Sequence, residues 1–213
     1  MRAFLIGLAG VLATLSQAQS VIYDNTINSL DANFPLLPEW RDDSAEAGDD
    51  IWLAGTDREV TELTLIFNYR GTVSGTFDGQ IRFRDIDEPT QTPGVAIYES
   101  GIISAIPMVA GLNVYTFSIP HVTVPDHFVW TVQAYNRQGL VGEMGPSYYD
   151  PVVVGFSDDF FWLSDMGSPW TAYSWGGEPV ANFAAKFTAV PEPMTSGALG
   201  VGVVALLRRR KKL

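Results

Sequence analysis

The chain has 213 residues, 24 Asp and Glu against 13 Lys and Arg, a formal net charge of −11, and no cysteine. Thiol catalysis, Cys-ligated zinc and disulfide stapling are thereby excluded. Arg2, the five cations from Arg208 to Lys212 and Glu192 lie in the two ends, so residues 21–190 keep 7 cations and 23 anions; a net charge near −16 excludes a nucleic-acid partner.

Met1-Arg2 is a short cationic start, and Ala3 to Leu15 is an apolar run. Ser16-Gln17-Ala18 then sets small residues where a signal peptidase reads them. Residues 1–18 are therefore predicted to be a signal peptide cleaved after Ala18, and the chain is exported. Val21 to Asp50 reads as a polar, irregular entry: Asn33-Phe34-Pro35 and Leu37-Pro38 favour extended or turn backbone. Asp42, Asp43, Glu46, Asp49 and Asp50 make an acidic loop in this reading.

From there the hydrophobic period becomes two. Asp50 to Ala54 is a short strand, and Val60 to Tyr69 sets Leu63, Leu65, Phe67 and Tyr69 on one face, against Glu62, Thr64, Ile66 and Asn68. Ile81, Phe83 and Asp85 alternate with Arg82, Arg84 and Ile86. Val95–Glu99, Ile102–Ile106 and Leu112–Ile119 follow, the last with Tyr115, Phe117 and Ile119 on one side. Phe128, Trp130, Val132 and Ala134 form another inward row. Val152–Phe156, Phe160–Leu163, Trp170–Trp175 and Phe183–Val190 close the series. Nine to eleven short strands between Gly, Pro, Asp and Asn clusters predict an all-β fold, an antiparallel β-sandwich with jelly-roll connectivity. Residues 19–189, about 170 in all, are enough for one domain that buries roughly 70% of its extended-chain surface. Leu65, Phe67, Phe83, Phe117 and Trp130 are the expected core.

Several groups invite chemistry. His121 and His127 are the only histidines, with Asp126 beside the second, but no G-x-S-x-G motif accompanies them and Gly155-Phe156-Ser157-Asp158 fails the pattern. They read as loop histidines. Carboxylate pairs (Asp42/Asp43, Asp49/Asp50, Asp85/Asp87, Asp158/Asp159) offer what a glycoside hydrolase needs, although solvated loop faces explain most of them. Hard cations take oxygen ligands, so Asp85 with Asp87, and Asp49 with Asp50, are candidate ligands for a structural calcium ion. Trp162, Trp170, Tyr173 and Trp175 crowd one Gly/Ser-rich region. They form either a stacking platform for a glycan or a cap on the core.

The last 24 residues, Val190 to Leu213, have an order of their own. Val190-Pro191-Glu192-Pro193 is a stiff extended separator. Met194 to Leu207 is uncharged and rich in Gly, Ala, Val and Leu. Arg208, Arg209, Arg210, Lys211 and Lys212 then form a stop-transfer cluster. As a helix the apolar run spans about 21 Å, short of a bilayer core of about 30 Å, so the arginines must snorkel or the bilayer must thin.

This tail resembles the PEP-CTERM sorting signal, a bacterial C-terminal tag processed by the membrane protease exosortase. Gly48-Asp49-Asp50-Ile51-Trp52-Leu53-Ala54-Gly55-Thr56-Asp57-Arg58, Thr92-Pro93-Gly94 to Ser100-Gly101 and Val124-Pro125-Asp126 to Trp130-Thr131-Val132 are also similar to stretches of that exported group. The resemblance implies signal peptidase and exosortase as processing partners. It also implies membrane anchorage through the C-terminal helix before processing, and residence at the cell surface or in an extracellular matrix afterwards. The domain is expected to be non-catalytic, with exopolysaccharide binding as the alternative and no nucleic-acid partner.

Overall fold

Fourteen strands and no helix make up the described part of the chain, which in this computed structural model comprises residues 18–33, 45–88, 90–165 and 167–191. The expected signal peptide before Ala18, Asp42 and Asp43, and the tail from Glu192 onward lie outside the described residues. Among the described residues no helix is long and apolar enough to cross a membrane. The strands are β1 (Ser20–Asp24), β2 (Ser29–Asn33), β3 (Glu46–Trp52), β4 (Glu59–Tyr69), β5 (Gly75–Asp87), β6 (Thr92–Glu99) and β7 (Ile103–Met108). They continue with β8 (Gly111–Thr123), β9 (His127–Gln138), β10 (Met144–Tyr149), β11 (Phe156–Ser157), β12 (Phe161–Ser164), β13 (Thr171–Tyr173) and β14 (Ala185–Val190).

All pairings are antiparallel. One sheet runs β1-β14-β4-β10-β2 with β8 on the far side of β4; the other runs β13-β12-β3-β9-β5-β6, with β11 on β3 and β7 on β5. Along the chain, β3, β5 and β9 alternate with β4, β8 and β14 between the two sheets, so each sheet is assembled from segments distant in sequence.

The alternation written in β4 and β9 becomes the sandwich-like interior. Leu63, Leu65, Phe67 and Tyr69 are buried, as are Phe128, Trp130 and Val132. Phe187 of β14 meets Phe83 and Phe128 of the opposite sheet at ring-centre distances of 5.4 and 5.5 Å, and those two lie 5.5 Å from each other. Edge-on and tilted aromatic contacts at this spacing join the sheets. A second aromatic group, Tyr148, Phe161 and Phe183, fills one end.

Three expectations are corrected. Residues 46–50 are not an acidic loop. They lie in β3, where Glu46, Asp49 and Asp50 are all buried in the middle of the larger sheet. Val21 to Asn33 likewise holds two strands instead of an irregular entry. Phe117 is only half-buried, because β8 is an edge strand and its ring lies at the rim of the core. Gly48 explains how β3 reaches its position: a Cβ there would lie 1.9 Å from the Trp130 carbonyl oxygen, so only glycine lets β3 approach β9 this closely.

Truncating Phe83 to alanine is expected to cost about 3–5 kcal/mol in urea unfolding of the 19–190 domain, and Phe117→Ala less than half as much. Equal losses at the two positions would contradict this account of the core rim.

Candidate functional site

Strand β3 has two chemically distinct faces. Ala47, Asp49 and Ile51 point inward, and Glu46, Asp50 and Trp52 point outward. On the outer face, Glu46 is the hub of a polar network. It accepts hydrogen bonds from Arg84 Nε (2.9 Å) and Nη2 (3.1 Å), Arg82 Nη1 (2.9 Å) and the Thr131 hydroxyl. Arg82 also donates to Gln133 Oε1 (3.0 Å) and to Gln80, and the Tyr135 hydroxyl donates to Gln80 Oε1 (2.9 Å). Arg84 reaches the Gly94 carbonyl (3.1 Å), and its guanidinium carbon lies 5.2 Å from the centre of the Trp170 ring. The alternation of β5 sends Arg82 and Arg84 outward together. Two of the domain's seven cations thus meet a single carboxylate, and cation–π stacking holds Trp170 over Arg84.

Further along the same face, His127 Nε2 lies 2.7 Å from Asp50 Oδ1, and its ring stacks on Trp52 with centres 3.8 Å apart and planes 12° apart. Phe156 sits against Trp52 at 5.3 Å. Burial raises the Asp50 carboxyl above the usual range, and the contact with His127 opposes that shift. His127 is thus the first residue of β9, with Asp50 as its partner. Asp126 instead binds Arg58 Nε at 2.6 Å. His121 Nδ1 lies 2.7 Å from Glu59 Oε1, at a groove lined by Gln19, Thr61, Thr116, Ser118 and Val190. Among the described residues no serine or threonine hydroxyl bonds either histidine.

Asp49 faces the opposite way, into the core. Its carboxylate accepts from the Phe183 backbone N–H (2.8 Å), the Ser157 hydroxyl (3.0 Å) and the Asp50 N–H (2.9 Å). These bonds tie β3 to β11 and to the chain just before β14. Among the described residues no cation faces this group in the interior, and burial pushes its carboxyl well above the usual range. Burial and the Asp49 charge push the Tyr23 hydroxyl up in the same way. Asp49 and Asp50 therefore diverge to opposite faces of one sheet, each held by protein donors. Asp85 and Asp87 end β5 in the open, where Asp85 accepts the Ile86 N–H and Asp87 the Thr90 hydroxyl. Among the described residues no three His, Asp or Glu side chains gather as a metal site.

The four aromatic candidates separate into two pairs. Trp162 and Trp170 belong to the outer face, Trp162 buried and Trp170 partly exposed. Tyr173 stacks on Phe161 at 5.6 Å, and Trp175 leans on the same ring while its Nε1–H donates to the Tyr148 hydroxyl (3.3 Å). That second pair covers the end of the core, as one of the two sequence readings had it.

Sequence reasoning missed Glu46, Gln80, Gln133 and Tyr135 as members of one network, and Glu59 as the partner of His121. Alternation of Ala45, Ala47 and Ile51 through the acidic run was the available signal for the strand that carries Glu46. No family model matches this chain, and no curated protein or solved structure is significantly similar to it.

A raised carboxyl pKa means that the folded state still holds a proton which the unfolded chain releases once the pH passes the ordinary aspartate value. The Asp49 contribution is complete below that value and is lost as pH rises through the raised pKa. Urea unfolding of the 19–190 domain from about pH 5 to about pH 8 should therefore show stability falling with pH, and Asp49→Asn should flatten the slope. An unchanged slope in that variant would exclude Asp49 as its source.

Proposed function

We propose that this chain is an exported, non-catalytic jelly-roll β-sandwich, sorted through its C-terminal tail to the cell surface or an extracellular matrix. In this reading β1-β14-β4-β8 and β3-β9-β5-β6 are the two four-stranded layers of the jelly roll, and β2 and β10–β13 are additions to it. The observation that carries the sorting proposal is where the domain stops. Ser20 pairs with Ala189, and Val190 pairs with Glu59, immediately before Pro191. Cleavage after Ala18 would leave only Gln19 ahead of β1, and processing beyond Val190 would leave all fourteen described strands in place. Both proposed processing points therefore border the domain without entering it. The buried carboxylates and both histidines are engaged by structural partners, which supports a role without catalysis.

Replacing Pro191-Glu192-Pro193 by alanines is expected to leave export intact and block C-terminal processing in a host with exosortase. Mass spectrometry reads the outcome: wild-type mature protein that still ends at Leu213 would overturn the sorting proposal.

A second reading, exopolysaccharide binding, is favoured by Trp170. Its partly exposed ring lies over Arg84, on the face that carries Gln80, Gln133 and Tyr135. An aromatic plane beside planar amides and guanidinium groups suits a neutral sugar. Affinity electrophoresis in neutral polysaccharide gels should show retardation that Trp170→Ala removes without changing the melting temperature. Retardation lost on chelation would instead assign binding to calcium bridged by acidic positions such as Asp85 and Asp87. Equal migration of wild type and variant excludes this face.

A further inference from the structure

Strand β8 presents a sheet edge unlike the others. Its residues 111–118 pair with residues 69–62 of β4 in an unbroken register, and among the described residues β4 is its only partner. A regular edge of this length offers a row of backbone donors and acceptors to another strand. The remaining edges among the described residues are blunted: β1 has five residues with a register shift and bonds at Ile22 and Asp24 to the backbone of Ala54, Val153 and Val154, and β11 has only two residues. β13 has three residues, and β2 has five with a register shift and Asp31 in the left-handed region. β6 carries Pro93 and two register shifts, and β7 carries Pro107 and Ala105 at φ 57°. In β8 the corresponding irregularities, Pro120 and His121 at φ 54°, come only after the regular run.

The chemistry of the edge says what it pairs with. From Gly111 to Thr123 there is no Asp, Glu, Lys or Arg, in a chain whose net charge is −11. Leu112 and Val114 point outward and are 53% and 62% exposed, while the inward rings of Tyr115 and Phe117 are left half-covered at the rim. A heterologous partner could be recruited to so acidic a molecule by cationic side chains, and this edge offers none of the complementary charge. For a second copy of the same chain, an uncharged edge is where mutual repulsion is smallest.

We propose that two copies of this chain associate by antiparallel pairing of β8 with β8, which joins the two smaller sheets into one continuous sheet. Paired residues must point to the same face, so the axis falls on a residue. An axis at Tyr115 uses residues 112–118 in full. It sets Val114 against Thr116 and Leu112 against Ser118 of the other copy, and lays strand over the rims of Tyr115 and Phe117. The nearest outward carboxylate, Glu62, is opposite Ser118. Its symmetry mate lies three strand spacings across and six residues along, roughly 25 Å away. That is well beyond the screening length of about 8 Å, so the two Glu62 carboxylates do not oppose the contact. This inference is independent of the sorting proposal and does not require the tail to be processed.

The test uses the full chain in a mild nonionic detergent. Sedimentation velocity over a concentration series should show a monomer–dimer equilibrium. Val114→Lys should move its midpoint to about tenfold higher concentration while the circular dichroism and melting temperature stay unchanged, and Thr116→Lys should act in the same way. Because the chain has no cysteine, Tyr115→Cys provides an independent readout. Paired Cα atoms at an antiparallel axis lie about 4.5–5.5 Å apart, within disulfide range, so this variant should cross-link under mild oxidant far more readily than Ser118→Cys. A chain that is monomeric at every concentration would overturn the proposal. So would a dimer indifferent to both lysine variants with no preference for cross-linking at 115, because that behaviour assigns association to the tail.

Discussion

Strand β3 can occupy the middle of the larger sheet only because its carboxylates are satisfied on both faces. Glu46 outside and Asp49 inside are each surrounded by donors from other strands. Burying an ionised group without such partners costs far more than a single domain's net stability can absorb. The two faces solve the problem differently. Outside, two arginines neutralise Glu46 and bind β5 and β9 around it. Inside, no cation is present among the described residues, and the carboxyl is held by two backbone N–H groups and a hydroxyl while its pKa rises.

These choices have unequal consequences. The outer network adds little net stability relative to apolar packing, yet removing one partner leaves an uncompensated charge among the others. It therefore fixes register more than it adds energy: a one-residue slip of β3 would exchange Glu46 with Ala47 and strand both arginines. The inner bonds reach Ser157 and Phe183, more than 100 residues further along the chain. The late segments of the fold are thereby positioned by a residue from its first third.

Much of this architecture was legible because strands with one wet face must alternate. Leu63 to Tyr69 and Phe128 to Ala134 wrote their inward rows plainly. The acidic run at 46–50 misled for a physical reason: composition reports the cost of burying carboxylates but not the distant donors that offset it. Arg82 and Arg84 sat two residues apart on a recognised strand, but nothing local connected them to Glu46, 36 and 38 residues away. Both histidines were expected in loops, but His121 lies within β8 and His127 opens β9, and their partners Glu59 and Asp50 could be found only in three dimensions. The aromatic cluster separated because Phe161 and Trp162, adjacent in sequence, face opposite sides of one strand.

The position of β14 has a mechanical consequence. It is clamped between β1 and β4 and is antiparallel to both, and it leads directly to Pro191. A pull on the chain beyond Val190, with the body held at the opposite pole, runs along the strand axis. Both ladders would then be loaded in shear, with their hydrogen bonds resisting together instead of opening one after another. A domain pulled through β14 in this way can carry tension without unravelling from the point of load.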